Sequence, residues 1–338
     1  MIMKLMAYKL SFLFAVLFTL QSFAQSNILN AKTPKEVGVM TEDEKSGNND
    51  EPLEYGYIGD RDILWSKVIW EKIDLKQKVN FPLFYPTRET MFSDNRKPLF
   101  QVLVDAIKDG ASENPSETAI TQIYGSDYFR EEDQYVGEKA LGQLKYTRII
   151  DAGLPILDEY GIVGTEQQDL YIERFKEGTL EDHYPADLID RLSYFIETTE
   201  ITPSDISYYH IKGMWYFDKI QGEMRYRLLG IAPVGDDVRT KGTSVASTPV
   251  EYFWIWFADA RMALHKGKVL NNDNGAKPVS FDHLLNSRRF DAVIYKTQNE
   301  YGDRKIQEYI QNDAMMQLLE ADRIREEIRN FELDMWNH

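Results

Sequence analysis

The sequence predicts an α+β fold, a central antiparallel sheet with flanking helices and a long C-terminal helical region. Three observations predict it. Residues 206–217 alternate in character and are followed, after a Gly222-containing loop, by a second strand-like run at 224–234, the pattern of a hairpin. Residues 249–257 form a β-branched and aromatic run. From Arg304 onward apolar residues recur every three or four positions, the period of an amphipathic helix.

The elements can be justified in chain order. Lys4 and Lys9 precede an apolar run over 10–20, and Ser22-Phe23-Ala24 supplies small residues at the positions a signal peptidase reads. This predicts a signal peptide over 1–24, cut between Ala24 and Gln25. The run is shorter than the roughly 20 residues needed to span a bilayer. Residues 25–54 contain the stretch TEDEKSGNNDEP and show no apolar period, so they are expected to be a disordered acidic leader. Residues 55–338 are expected to be a single globular α+β domain, extended by the helical region at about 304–336.

Within that domain, residues 60–75 are compatible with helix or strand. Leu64, Val68 and Lys72 fit a helical face, while Ile63, Trp65, Ile69 and Ile73 fit neither period. A helix is predicted over 97–110, with Pro98 in its first position, Phe100, Leu103 and Ile107 in one stripe, and Gly110 at its C-terminal cap. Residues 187–196 have the spacing of a short amphipathic helix. In the hairpin, Tyr209, Ile211, Trp215 and Phe217 share one face, and His210 and Lys212 the other. Arg225 and Arg227 point outward, and residues 228–232 are apolar on both faces. Residues 235–248 read as an exposed loop, and 249–257 as a central strand covered on both sides. Ser280 can cap a helix over 281–290. The last stripe comprises Ile306, Ile310, Ala314, Leu318, Ala321, Ile324, Ile328, Phe331 and Met335. Such a helix either projects towards a neighbour or lies, interrupted, across its own sheet.

Composition narrows the function. The chain carries a formal charge of −16, which disfavours nucleic acid and anionic lipid and favours a basic protein surface. It has no cysteine, so neither disulfides nor thiolate chemistry are available. The 13% aromatic content supports a large core and adhesive surfaces. Its five histidines show no metal-binding spacing, and no nucleophile elbow, phosphate loop or dinucleotide fingerprint occurs. No cofactor or metal is expected. Asn271-Asn272-Asp273-Asn274-Gly275 lacks the terminal glutamate of a calcium loop and reads as a turn. A carboxylate-dependent hydrolase using Glu251 or Asp259, or a carbohydrate-binding module built on the aromatic strand, is the alternative to a non-enzymatic role.

Several blocks together resemble the gliding motility protein GldN family, also called PorN, of Bacteroidetes. They are Asp62-Ile63-Leu64-Trp65-Ser66-Lys67 with Trp70, Ile73-Asp74-Leu75, Pro82-Leu83 and Tyr85-Pro86, then Arg96-Lys97-Pro98-Leu99-Phe100. A third block holds Ile211-Lys212, Trp215, Phe217-Asp218-Lys219, Arg225, Arg227 and Gly230-Ile231-Ala232-Pro233, followed by Phe253-Trp254-Ile255 and Arg261. The last is Arg288-Arg289-Phe290 with Tyr295-Lys296 and Arg304. Gly213-Met214 replaces acidic residues of the family pattern, and 120–201 resembles it loosely. The resemblance implies a periplasmic component of the type IX secretion system, associated in a ring with a GldK- or PorK-like outer-membrane lipoprotein. A GldM- or PorM-like motor arm would engage that ring. The chain itself would not insert in the membrane.

Ring contacts need anchors. Trp65, Trp70 and Tyr85 are the candidate interaction residues, since large aromatics dominate interface energetics. Plain core filling is the alternative for each tryptophan.

Overall fold

The computed structural model describes residues 51–87, 96–177, 179–236, 249–269, 279–300 and 302–336. The predicted cleavage site at Ala24 and Gln25, the leader up to Asp50, the loop beyond Asp236 and the Asn271–Gly275 turn lie outside the described residues. The chain begins with β1 (Ile63–Asp74), α1 (Phe81–Phe84), α2 (Leu99–Gly110), β2 (Gln122–Tyr124) and β3 (Gln134–Val136). It continues through α3 (Glu138–Gln143), β4 (Lys145–Ile149), α4 (Leu154–Glu159), α5 (Thr165–Glu177), α6 (Ala186–Ser193) and β5 (Ile196–Glu200). The hairpin β6 (Ile206–Asp218) and β7 (Glu223–Asp236) follows, then β8 (Pro249–Glu251), β9 (Ile255–Trp256) and α7 (Phe257–Lys266). Last come β10 (Lys268–Val269), β11 (Val279–Ser280), α8 (Phe281–Asn286), β12 (Val293–Thr297), α9 (Ile306–Tyr309) and α10 (Ala314–Trp336).

The main sheet runs β12-β1-β6-β7-β8, with β9 also on β7, and every pairing is antiparallel. The predicted α+β class is therefore the observed one. The ambiguous segment is strand β1. Its second half, Ile69 to Ile73, is buried on both faces, and a strand covered twice has no need of alternation. The predicted hairpin is β6–β7, and its turn uses Gly222 at φ 68°, a left-handed conformation that costs glycine nothing.

Alternation sends Ile73, Tyr209 and Ile211 to one face. There they form the largest core with Phe100, Leu103 and Ile107 of α2, Phe257 and Leu264 of α7, and Phe281 and Leu285 of α8. The α2 stripe is the one predicted, although Pro98 is the N-cap rather than the first helical residue. Nearer the hairpin turn the sheet is covered by α10, whose Ala321, Ile324 and Ile328 pack on Ile69 and Ile294. The opposite face carries Trp70, Ala232 and Trp254. A satellite cluster of Leu157, Tyr171, Leu188 and Leu192 gathers α4, α5 and α6.

Four sequence expectations need correction. Residues 249–257 are not a central strand covered on both sides: Pro249 and Val250 are exposed, and burial is complete only at Phe253–Ile255 and Phe257. Pro249–Glu251 and Ile255–Trp256 are short edge pieces on β7, because Trp254 leaves the ladder to exchange hydrogen bonds with Tyr124 at 2.7 and 2.8 Å. The predicted helix over 187–196 stops at Ser193, and Ile196 enters β5 instead. The Ser280 cap is real, its hydroxyl accepting from the His283 N–H at 3.1 Å. That helix nevertheless ends at Asn286, since Arg288 adopts φ 52° to turn its side chain inward. The C-terminal stripe is interrupted at Asn312 (φ 61°), after which Asp313 accepts the Met316 N–H at 3.0 Å and restarts the helix. Its buried stripe consequently begins at Ala321, and Leu318 is exposed.

Between the two cores lies an ion pair. Glu71 is 1% exposed, and Arg288 donates to both its carboxylate oxygens at 2.7 and 2.8 Å. The guanidinium also lies 4.1 Å from the Tyr226 ring centre, and the Tyr226 hydroxyl donates to Glu71 at 3.3 Å. Tyr226 occupies the space over Gly213, where any added Cβ would collide with its hydroxyl. Arg288→Met should destabilise the protein by about 3 kcal/mol, because a buried charge left alone is the costly state. The double variant Glu71→Gln with Arg288→Met should lose less than the sum of the single changes in urea unfolding. Strict additivity would show that the pair is not coupled.

Candidate functional site

The three predicted anchors occupy different environments. Trp70 is 2% exposed, beneath the ammonium groups of Lys296 (4.2 Å from the ring centre) and Lys212 (5.0 Å). In the isolated chain it offers no surface. Trp65 is half-buried and stacked on Phe331 of α10 at 4.7 Å. Tyr85 is 52% exposed beside Phe81 and Phe84, and its peptide bond to Pro86 is cis. Sequence position does not bring the three together: Trp65 and Trp70 have opposite parity in β1 and so face opposite sides of the sheet.

The Trp70 face carries a set of buried charged groups. Lys296 is ion-paired to Asp127 at 2.8 Å, and Lys212 donates to the Asp127 carbonyl at 2.7 Å. Burial lowers the Lys212 ammonium pKa, partly countered by Asp127. Phe129 closes the layer by packing edge-on against Tyr124, Trp254 and Trp256. It fits because Gly230 lies beneath it, where a Cβ would strike the ring. Farther along, Glu251 receives hydrogen bonds at 2.8 Å from the Trp254 indole N–H and from His210 Nδ1. Burial works to raise the Glu251 carboxyl. The His210 hydrogen bond and charge, with the Trp254 N–H, outweigh it and hold the group below its ordinary range. The second carboxylate of the hydrolase alternative, Asp259, is in the first turn of α7 and accepts from Gln122 at 2.9 Å. These groups are bound to one another, which makes the layer a packing device. Among the described residues no group of three or more His, Cys, Asp or Glu side chains is placed to hold a metal ion.

A second cluster fixes the chain ahead of β1. The Tyr55 ring lies against the guanidinium groups of both Arg261 (4.1 Å) and Arg227 (4.6 Å), and its hydroxyl donates to Asn286 at 2.7 Å. Arg261 also donates to Asp282 at 3.0 Å and to the Leu53 carbonyl at 2.5 Å, and Arg227 reaches the Gly56 carbonyl at 3.2 Å. Burial raises the Tyr55 phenol. The Leu53 (83%) and Tyr57 (97%) side chains are exposed, so this strap is held by the Tyr55 ring and by the Leu53 and Gly56 carbonyls, all on the same two arginines.

Among the exposed apolar side chains of the described residues, two groups are close in sequence. In the first two turns of α10, Met315, Met316, Leu318 and Leu319 are all exposed, although the segment is apolar nearly all round. A helix of that character is normally covered. Around α1, Val79, Phe81 and Tyr85 form the other patch. Sequence reasoning named only Tyr85 among these. The expected buried stripe contains Ala314 and Leu318 of this run, both of which are exposed, and leaves out Met315, Met316 and Leu319. Among the described residues no helix is long and apolar enough to cross a membrane.

The fold and these surfaces define an α+β protein in which buried charged groups are paired with one another and apolar side chains are left exposed on α1 and α10. The family described as gliding motility associated protein GldN matches residues 58–337, and the chain belongs to it. It is thereby a component of gliding motility and type IX secretion. No curated protein matches the chain.

Tyr55→Ala should free the strap: limited proteolysis should then cleave near residues 53–57 much faster than in wild type, with little change in thermal midpoint. Unchanged cleavage would show that other contacts hold it. The Glu251 cluster predicts a pH effect. A depressed carboxyl contributes stability fully present above its ordinary value of 4.5 and lost as pH falls through the lower folded value. The stability gap between wild type and Glu251→Gln should therefore close on the acid side in urea unfolding at stepped pH.

Proposed function

We propose that this protein is a non-enzymatic structural subunit of the type IX secretion and gliding machinery. In this reading the leader is removed after Ala24 and the mature chain works in the periplasm. A GldK- or PorK-like lipoprotein holds it at the outer membrane, copies associate in a ring, and a GldM- or PorM-like motor arm engages that ring. The observation that carries the reading is family membership across residues 58–337, a span that includes both sheet cores.

Surface chemistry supports it. A closed ring requires two different patches on each copy, since head-to-tail contacts are heterologous. The α10 turns around Leu319 and the α1 patch around Tyr85 are two such patches of different composition. A chain of charge −16 would meet a basic partner with salt-sensitive affinity.

Co-expression of the mature chain with its lipoprotein partner tests this. The complex should elute far above monomer mass, and added salt should weaken it. The variant Met315→Glu with Leu319→Glu should weaken assembly by about tenfold or more, since an interface core tolerates charge poorly. Its circular dichroism and thermal midpoint should stay close to wild type, because both residues are exposed. A chain that remains monomeric beside the lipoprotein would overturn the reading.

A further inference from the structure

The main sheet is incomplete along one edge. β12 covers β1 only from Ile69 to Lys72, with the Gln298 N–H extending the contact to the Val68 carbonyl at 3.0 Å. Upstream, residues 65–67 are paired to β6 alone, and Leu64 falls at a break in that register. Hydrogen-bonding direction alternates along a strand. Since Val68 directs its carbonyl towards β12, Ser66 directs its N–H and C=O to the same, uncovered side. Among the described residues those two groups have no ladder partner. Ser66 is exposed, and its neighbour Leu64 is an apolar residue at 52% exposure. A lysine on an edge strand commonly discourages pairing. Here Lys67 is turned away, ion-paired to Glu327 of α10 at 2.6 Å.

Beside this edge lies a cleft of about 430 Å³, lined by Trp65, Phe331, Arg323, Glu326, Glu327 and Asp334. A residue paired with Trp65 on an added strand would project onto the same face, its Cβ about 5 Å from that of Trp65. The stacked rings of Trp65 and Phe331 would meet its side chain. Of the three carboxylates in the lining, Glu327 is paired to Lys67 at 2.6 Å and to Arg323 at 3.6 Å, and Glu326 to Arg329 at 3.6 Å, while Arg323 is also held by Glu320 at 2.7 Å through two nitrogens. Among the described residues Asp334 has no ion-pair partner. Such a cleft suits the aliphatic stem of lysine or arginine on the rings, with the charged head at the Asp334 carboxylate.

We propose that the uncovered half of β1 is a strand-addition site for an extended basic segment of a partner protein, with a Lys or Arg of that segment seated in the Trp65–Phe331 cleft. Main-chain pairing supplies affinity and the cleft supplies selectivity, as in other strand-addition sites. The inference rests on the reading of the chain as a protein-binding subunit and gives one partner its chemistry.

The test uses the mature full chain and a short capped peptide of alternating lysine and valine, followed by fluorescence anisotropy at fixed salt. Wild type should bind it, and an alternating glutamate–valine peptide should not. Ser66→Pro removes the edge N–H at a position where an edge strand accepts proline, and should weaken binding by about tenfold. Glu326→Lys with Asp334→Lys should do the same. Should Ser66→Pro fail to fold, backbone N-methylation of the peptide supplies the same test from the other side. Equal binding of both peptides, or no effect of edge or peptide methylation, would overturn the proposal. So would Ser66→Pro abolishing self-association of the chain while leaving peptide binding intact, since the occupant would then be a second copy. Retention of the lipoprotein complex in a variant that no longer binds the peptide would leave the subunit reading standing and assign the edge to another partner. Loss of the lipoprotein complex in wild type strikes only at the subunit reading.

Discussion

The contact between Glu71 and Arg288 constrains most of what surrounds it. A carboxylate at 1% exposure is tolerable only when its charge and lone pairs are matched, and one guanidinium answers both oxygens. To reach it, Arg288 must leave helical geometry, which is why α8 is short. To make room, Tyr226 must lie over Gly213 and accept the guanidinium on its ring. The pair thus sets the spacing between the core under α2, α7 and α8 and the core under α10. A sheet covered by two separate helical layers needs such a divider, because apolar packing alone is non-directional.

Several of the residues on which the resemblance to the family is read fall on interior networks of this kind. Arg288 is one, and Lys212 and Lys296 over Trp70, Arg261 on Asp282 and Trp254 on Glu251 are others. Each is a charged or polar group whose burial demands one particular partner at one particular place. Hydrophobic positions accept neighbours of similar volume, whereas these positions do not. A resemblance carried by such residues reports the architecture. It says less about surfaces such as the α10 turns, where no partner in the same chain restricts the side chain.

That difference also explains what the sequence disclosed. The β6–β7 hairpin was legible because its faces differ: Tyr209 and Ile211 are buried in the main core while His210 and Lys212 reach polar partners. The α2 stripe was legible for the same reason. β1 was not, since Ile69 and Trp70 are adjacent and both buried, on opposite faces. The break at residues 252–254 was hidden because buried edge segments and central strands share a composition; only the Tyr124–Trp254 bridge separates them. Of the anchor candidates, Tyr85 is exposed, Trp65 shares its ring with α10 and Trp70 is interior, a distinction that depends on parity in a strand whose type was itself undecided.

A cysteine-free chain of this charge must draw its stability from burial, so apolar side chains left outside conflict with the demand that shapes the interior. The conflict is local. In α10 the same helix that buries Ala321, Ile324 and Ile328 exposes Met315, Leu318 and Leu319 within the two turns before Ala321, where no core residue of the sheet packs on them. In β1 the same strand that is covered on both sides at Trp70 has an open edge at Ser66, where β12 has ended. Both elements outrun the layer that supports them, and each leaves unsatisfied the kind of group its own geometry produces. The helix leaves an apolar face, and the strand leaves a row of amides. Two chemically different unmet demands on one chain are what a subunit needs if it is to bind unlike neighbours without confusing them, because an apolar helix face and a strand edge do not substitute for each other.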